Sequence, residues 1–135
     1  MSEPRPAPGE RPFAVADRLR SFRYALRGIA TMLRTQHNAW LHAVATLAVA
    51  GAALLLGVRR EDWPWLILAM LAVWTAEALN TAFEFLTDVA SPTFHPVAGK
   101  AKDVAAGAVL MASIIASIIG GLILLYQFAR LLHLW

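Results

Sequence analysis

Residues 63–88 read WPWLILAMLAVWTAEALNTAFEFLTD. The stretch opens as a membrane segment, with no charged side chain from Trp63 to Ala76. It then takes on Glu77, Glu84 and Asp88 with no proline or glycine to mark a boundary. An apolar run of that length predicts a membrane-spanning helix. At about 100° per residue, with Glu77 at the origin, Asn80, Thr81, Glu84 and Asp88 fall at about −60°, +40°, −20° and +20°. The polar residues therefore form one stripe, while Leu79, Ala82, Phe83, Phe85 and Leu86 lie on the other faces. A helix that had simply left the membrane would be polar all round. A carboxylate at mid-bilayer costs about 2.5–3.5 kcal/mol on insertion scales, and carboxylates on one stripe also repel each other. A divalent cation with oxygen ligands offsets both effects, as does proton sharing between neighbours. The plainer reading is a solvated helix end or a polar contact between helices.

Two further runs can cross a hydrocarbon core of about 30 Å. One is Ala39–Val58, interrupted only by His42; the other is Val104–Ala129, with no charge. With 135 residues, 59% hydrophobic, and a mean hydropathy of +0.56, the chain belongs to the membrane class. The expected spans are 39–58, 63–88 and 97–130, within a domain covering 17–135. The first 16 residues are rich in proline and charge and read as a disordered arm. No apolar core of signal-peptide type precedes residue 38. There is no cysteine, which excludes disulfides, thiolate nucleophiles and zinc–thiolate sites.

Of the twelve Lys and Arg residues, seven precede the first span: Arg5, Arg11, Arg18, Arg20, Arg23, Arg27 and Arg34. The positive-inside rule then predicts a cytoplasmic N-terminus and a cytoplasmic loop between the second and third spans. Basic residues at a membrane border favour lipid headgroups or a phosphate ligand over nucleic acid. Residues 17–38 carry Leu19, Phe22, Leu26, Ile29 and Leu33 at spacings of three and four, the pattern of an amphipathic interfacial helix. Between spans, SPTFHPVAGKAKD (91–103) supplies Pro92 and Pro96 to end one helix and start another. Lys100, Lys102 and Asp103 then sit near a helix N-terminus, a plausible place for phosphate, although the lysines also serve as topology markers. Ala101, Ala105, Ala108 and Ala112 form a small-residue stripe suited to close helix packing.

Soluble nucleotide-binding motifs are absent: no G-x-x-x-x-G-K-[ST], no G-x-G-x-x-G, no H-R-D or D-F-G. The residues alone describe a small membrane protein with an acidic site facing a basic rim. Such a site suits a metal-bound phosphorylated ligand or, in another class, a cation- or proton-conducting oligomer. Conduction requires polar residues across the bilayer. Trp63–Ala76 offers only Thr75, and the third span only Ser113, Ser117 and Gln127.

EALNTAFEFLTD followed by HPVAGKAKDVAAGAVL resembles the prokaryotic integral-membrane diacylglycerol kinase/undecaprenol kinase family. The family pattern E-x-x-N-[ST]-A-x-E-x-x-x-D, then A-K-D, is met by Glu77, Asn80, Thr81, Ala82, Glu84, Asp88, Ala101, Lys102 and Asp103. SFRYALRGI and RTQHN resemble the family's surface helix. The resemblance covers residues 17 to 132. It implies an all-α membrane fold, with three transmembrane helices and an interfacial helix in a homotrimer whose active sites are shared between chains. The implied reaction transfers the γ-phosphoryl of Mg-ATP to a lipid hydroxyl at the bacterial cytoplasmic membrane.

Carried over by that resemblance, Glu77 is the general base and Glu84 holds Mg²⁺. Asn80, Glu84, Asp88, His95, Lys102 and Asp103 surround the nucleotide, with Tyr24 and Arg18 against it from the surface helix. Gln36 stands where the diacylglycerol kinase branch has a second metal-holding Glu. It can offer an amide oxygen but no charge. Trp40 stands where the family commonly has a basic residue. The 95–109 segment, Gln36 and SFRYA lean toward undecaprenol as acceptor, with diacylglycerol as the alternative.

Overall fold

The computed structural model describes residues 15–133. Residues 1–14 of the expected 1–16 arm lie outside them, and residues 15 and 16 belong to the first helix instead. Among the described residues the regular structure is four helices: α1 (Val15–Thr35), α2 (His37–Leu55), α3 (Trp63–Ala90) and α4 (Pro96–Leu131). The described residues divide into two units, one up to residue 31 and one from residue 32. In the first, α1 presents Leu19, Phe22, Leu26 and Ile29 as exposed apolar side chains, as an interfacial helix requires. Ser21 Oγ donates to the Asp17 carbonyl at 2.9 Å, and Arg20 pairs with Asp17 at 3.7 Å.

In the second unit, α2, α3 and α4 are each long and apolar enough to cross a membrane. The expected surface helix ran to residue 38, yet α1 stops at Thr35 and α2 starts at His37. Gln36 is extended (φ −107°, ψ 115°), and its backbone N–H closes α1 on the Met32 carbonyl at 2.9 Å. No proline or glycine marks this break. A tertiary contact holds it, since the Gln36 amide bonds a side chain on α3.

The first span ends at Leu55 rather than 58. Gly57 takes the left-handed conformation (φ +66°), which glycine adopts without a Cβ penalty. Val58 N–H then bonds the Ala53 carbonyl at 2.9 Å and Gly57 N–H bonds Leu54 at 3.2 Å. This is a Schellman closure. Val58 folds back onto Ala53, and with Leu66 they form the buried apolar cluster at this end, packed by Val49, Trp63, Met70, Ile123 and Leu124. Gln127 on α4 donates Nε2–H to the Leu56 and Gly57 carbonyls, each at 3.1 Å. In hydrocarbon those carbonyls would otherwise lack partners.

Arg59 donates to Asp62 at 3.1 Å and lies over the Tyr126 ring at 5.4 Å. Asp62, by hydrogen bond and charge, pushes the Arg59 pKa up. Pro64 sits in the first turn of α3, where its missing N–H is harmless. At the other end His95 caps α4: its Nδ1 accepts from Val97 N–H at 3.2 Å, and Pro96 is the first helical residue. The short 91–95 connection makes α3 and α4 antiparallel neighbours.

Candidate active site

Helix length sets the depth of the acidic stripe. At about 1.5 Å per residue, α3 is about 42 Å long, against about 30 Å of hydrocarbon. Measured from Trp63, Glu77 lies about 21 Å along the axis, Glu84 about 32 Å and Asp88 about 38 Å. With Trp63 at one boundary of the hydrocarbon and α3 along its normal, the first falls within the core, the second at its far edge and the third beyond it. Exposure follows the same order. Glu77 is fully buried, Glu84 is half-buried and the Asp88 side chain is 63% exposed.

Two amides hold Glu84. Gln36 Nε2 donates to Oε2 at 2.7 Å, and Asn80 Nδ2 donates to Oε1 at 3.1 Å. An ionised carboxylate only accepts, so both amides turn their N–H groups toward it. Asn80 Oδ1 is left buried without a partner. Glu77, two turns deeper, has both carboxylate oxygens buried and unpartnered. Thr81 Oγ1 bonds back to the Glu77 carbonyl at 2.9 Å, which satisfies the hydroxyl within the helix. A cleft of about 280 Å³ connects these groups. It is lined by Asn38, Leu41 and His42 from α2, Glu77, Asn80 and Glu84 from α3, and Ala106, Val109, Leu110 and Ser113 from α4.

The structure thus brings Gln36, Glu77, Asn80 and Glu84 together. Lys102 is engaged with Asp88 in an ion pair across the α3–α4 gap, one turn out from Glu84. Asp103 is exposed beside it. His95 is occupied through Nδ1 as the α4 cap. Arg18 and Tyr24 lie exposed on α1. The sequence reading passed over His42, treating it as an interruption of an apolar run. Its Nε2 lies 3.7 Å from Glu77 Oε2. The signal was present: a histidine inside a spanning segment is a functional candidate by default.

Among the described residues no group of three or more His, Asp or Glu side chains gathers to hold a metal. The oxygen donor present is one carboxylate, Glu84; the Asn80 and Gln36 amides now turn N–H to it and offer their oxygens to a cation once rotated. Mg²⁺ fits such a set, because it commonly takes one or two carboxylates and completes its shell with water and substrate phosphates.

An all-helical membrane protein with a polar cleft at the bilayer edge is the class that fold and site define. The chain belongs to the prokaryotic diacylglycerol kinase family, whose model matches residues 23–124, and it is a lipid kinase. Over 106 residues (78% of this chain) it is 40% identical to the undecaprenol kinase of Bacillus subtilis, covering 86% of that protein. Over 106 residues it is 43% identical to the diacylglycerol kinase of a Synechocystis species, of whose length the match spans 61%. Three apolar helices and this membership make it a multi-pass membrane protein.

Proposed function

We propose that the chain transfers the γ-phosphoryl group of ATP to the primary hydroxyl of undecaprenol at the cytoplasmic face of the bacterial inner membrane. The observation that carries the reading is the graded pair on α3: a buried, unpartnered Glu77 below an amide-held Glu84. A lipid hydroxyl sits just inside the interface and phosphates sit just outside it. The two carboxylates are spaced about 10.5 Å apart along α3 in that order.

Glu77 accepts the proton of the lipid hydroxyl as its oxygen forms a bond to Pγ and the bond from Pγ to ADP breaks. Glu84, with the Asn80 and Gln36 amide oxygens, would hold Mg²⁺. When bound, the ion supplies charge neutralisation on the phosphates. Lys102 and Asp88, already paired at the rim, exchange partners when a phosphate arrives, and Lys102 then adds positive charge. Asp103, two turns into α4, completes the nucleotide side. One protomer leaves Asp103 exposed and Lys102 only half-covered. That exposure supports a homotrimer in which neighbouring copies complete each site. The basic residues ahead of α2 support a cytoplasmic N-terminus.

Undecaprenol is preferred because the match spans most of the undecaprenol kinase. Diacylglycerol is the second reading, favoured by the 43% identity to a diacylglycerol kinase. Transfer of ³²P from Mg-[γ-³²P]ATP, with undecaprenol and dioleoylglycerol presented in parallel micelles, tests both. Label in undecaprenol supports the first reading, label confined to dioleoylglycerol replaces it with the second, and label in neither rejects both.

A further inference from the structure

His42 has no part in the scheme above, yet its ring reaches the deepest carboxylate of the site. Nε2 lies 3.7 Å from Glu77 Oε2. That separation is too long for a hydrogen bond and too short for a water between the two atoms. His42 Nε2 and both Glu77 oxygens are shut off from solvent and have no other partner. A buried carboxylate with no donor is costly, and a hydrocarbon setting makes it more so. Catalytic contacts are often long before substrate arrives and tighten around it.

The ring is held in place. His42 meets Trp74 edge to face, with centroids 6.4 Å apart and planes at 67°. The Trp74 indole is tied by its Nε1–H to Thr46 Oγ1 at 3.0 Å. Thr46 is four residues from His42 and Trp74 is three from Glu77, so each pair shares a helix face. The two pairs form a clasp between α2 and α3 that fixes the imidazole plane and aims Nε2 at Glu77. The other polar groups lining this cleft are Asn38 on α2, Asn80 and Glu84 on α3 and Ser113 on α4. Asn80 and Glu84 are already bonded to each other.

We propose that His42 is a positioning residue for the base. The neutral imidazole donates Nε2–H to Glu77 Oε2, which leaves Oε1 to accept the lipid proton. The inference rests on Glu77 being the base. In the step, the lipid oxygen bonds Pγ as ADP departs and the lipid proton passes to Oε1 and afterwards to water. His42 keeps its own proton throughout.

The test measures kcat and KM for ATP and lipid in His42→Leu, His42→Gln, His42→Asn and Glu77→Gln, purified in detergent and matched for oligomeric state. A Gln amide nitrogen reaches the place of Nε2, the Asn nitrogen stops short, and Leu fills the volume without a donor. Expected is a kcat loss of about tenfold or more in His42→Leu and His42→Asn, with both KM values within about twofold. His42→Gln should keep kcat within about threefold of the parent, as a donor role requires. A packing role predicts instead that Leu is tolerated and that Gln is no better than Asn. Either result overturns the proposal, and the Gln–Asn comparison decides alone if His42→Leu does not fold. Activity in Glu77→Gln would overturn the base assignment itself. An inactive Glu77→Gln beside a fully active His42→Leu removes only His42.

Discussion

Gln36→Glu replaces an amide that bonds Glu84 Oε2 at 2.7 Å with a second carboxyl. Two unit charges at that separation repel by about 6 kcal/mol at an effective dielectric of about 20, and by about 1.5 kcal/mol in a water-like setting. The molecule has a second option. At pH 7, protonating a carboxyl of ordinary pKa about 4.3 costs about 3.7 kcal/mol, at about 1.36 kcal/mol per unit. The smaller quantity wins, so the introduced carboxyl takes up a proton wherever repulsion exceeds that value. Without divalent metal the variant should lose about 1.5–3.7 kcal/mol at pH 7. The folded-state pKa of the introduced group is then raised. The loss is therefore absent well below about pH 4 and grows as pH rises above it, levelling off once the introduced group ionises in the folded state.

Magnesium reverses the sign of the interaction, because two carboxylates can then share one cation. Thermal unfolding of parent and variant in detergent, at pH 5 and pH 7, with EDTA or Mg²⁺, reads all of this. The variant should melt below the parent in EDTA at pH 7, keep a smaller deficit of about 1 kcal/mol at pH 5 and gain more from Mg²⁺. Its free-Mg²⁺ requirement in the kinase assay should fall by about tenfold, the equivalent of about 1.4 kcal/mol of added metal affinity. Parallel melting and unchanged metal titrations would refute the placement of position 36 at the metal.

Glu77→Gln should lower kcat by about 10²-fold or more, as loss of a general base does, with the KM for ATP little changed; unaltered turnover would remove Glu77 as base. Glu84→Gln should raise the Mg²⁺ concentration needed for half-maximal activity by about tenfold or more, and an identical titration would exclude it as a ligand. Gln127→Leu removes the donor to two carbonyls at the end of α2. It should cost about 1–2 kcal/mol of stability in detergent unfolding with the KM for ATP unmoved, and no loss would mean that those carbonyls find other donors.

Some of this was readable from one chain because it depends on local periodicity. The three spans, Pro96 at a helix start, and the single acidic face of α3 all follow from residue type and spacing. The family pattern marked Glu77, Asn80 and Glu84. Position 36 was legible only through that pattern, because nothing local breaks the helix there. The break depends on an α3 side chain 48 residues away. The early end of α2 had a local signal in Gly57, which a purely hydropathic reading runs past. His42 illustrates a different limit. A histidine in an apolar run shows that something unusual is present, but its partner across α2 and α3 appears only once the register of the two helices is known. Lys102 was expected at a phosphate, and the fold pairs it with Asp88. Opposite charges near a solvated rim pair with each other when no ligand competes.

The depth order of the acids bears on why one helix would carry both base and metal ligand in the proposed reaction. A base for a lipid hydroxyl has to reach the substrate where the substrate lies, which is inside the interface, since lifting an acyl or prenyl chain into water costs about 0.8 kcal/mol per CH₂. A ligand for nucleotide-bound magnesium has to stay in water, because Mg²⁺ dehydrates reluctantly. Two positions seven residues apart on one helix are two turns, or about 10.5 Å, apart along the axis and nearly aligned in azimuth. In the proposed scheme Glu77 and Glu84 meet both demands with a single rigid element. No loop movement is needed to bring the lipid side and the nucleotide side of the reaction onto one line. The apolar faces of α3 stay in the bilayer, and the carboxylate that cannot be solvated there has the unpartnered His42 Nε2 on α2 at 3.7 Å.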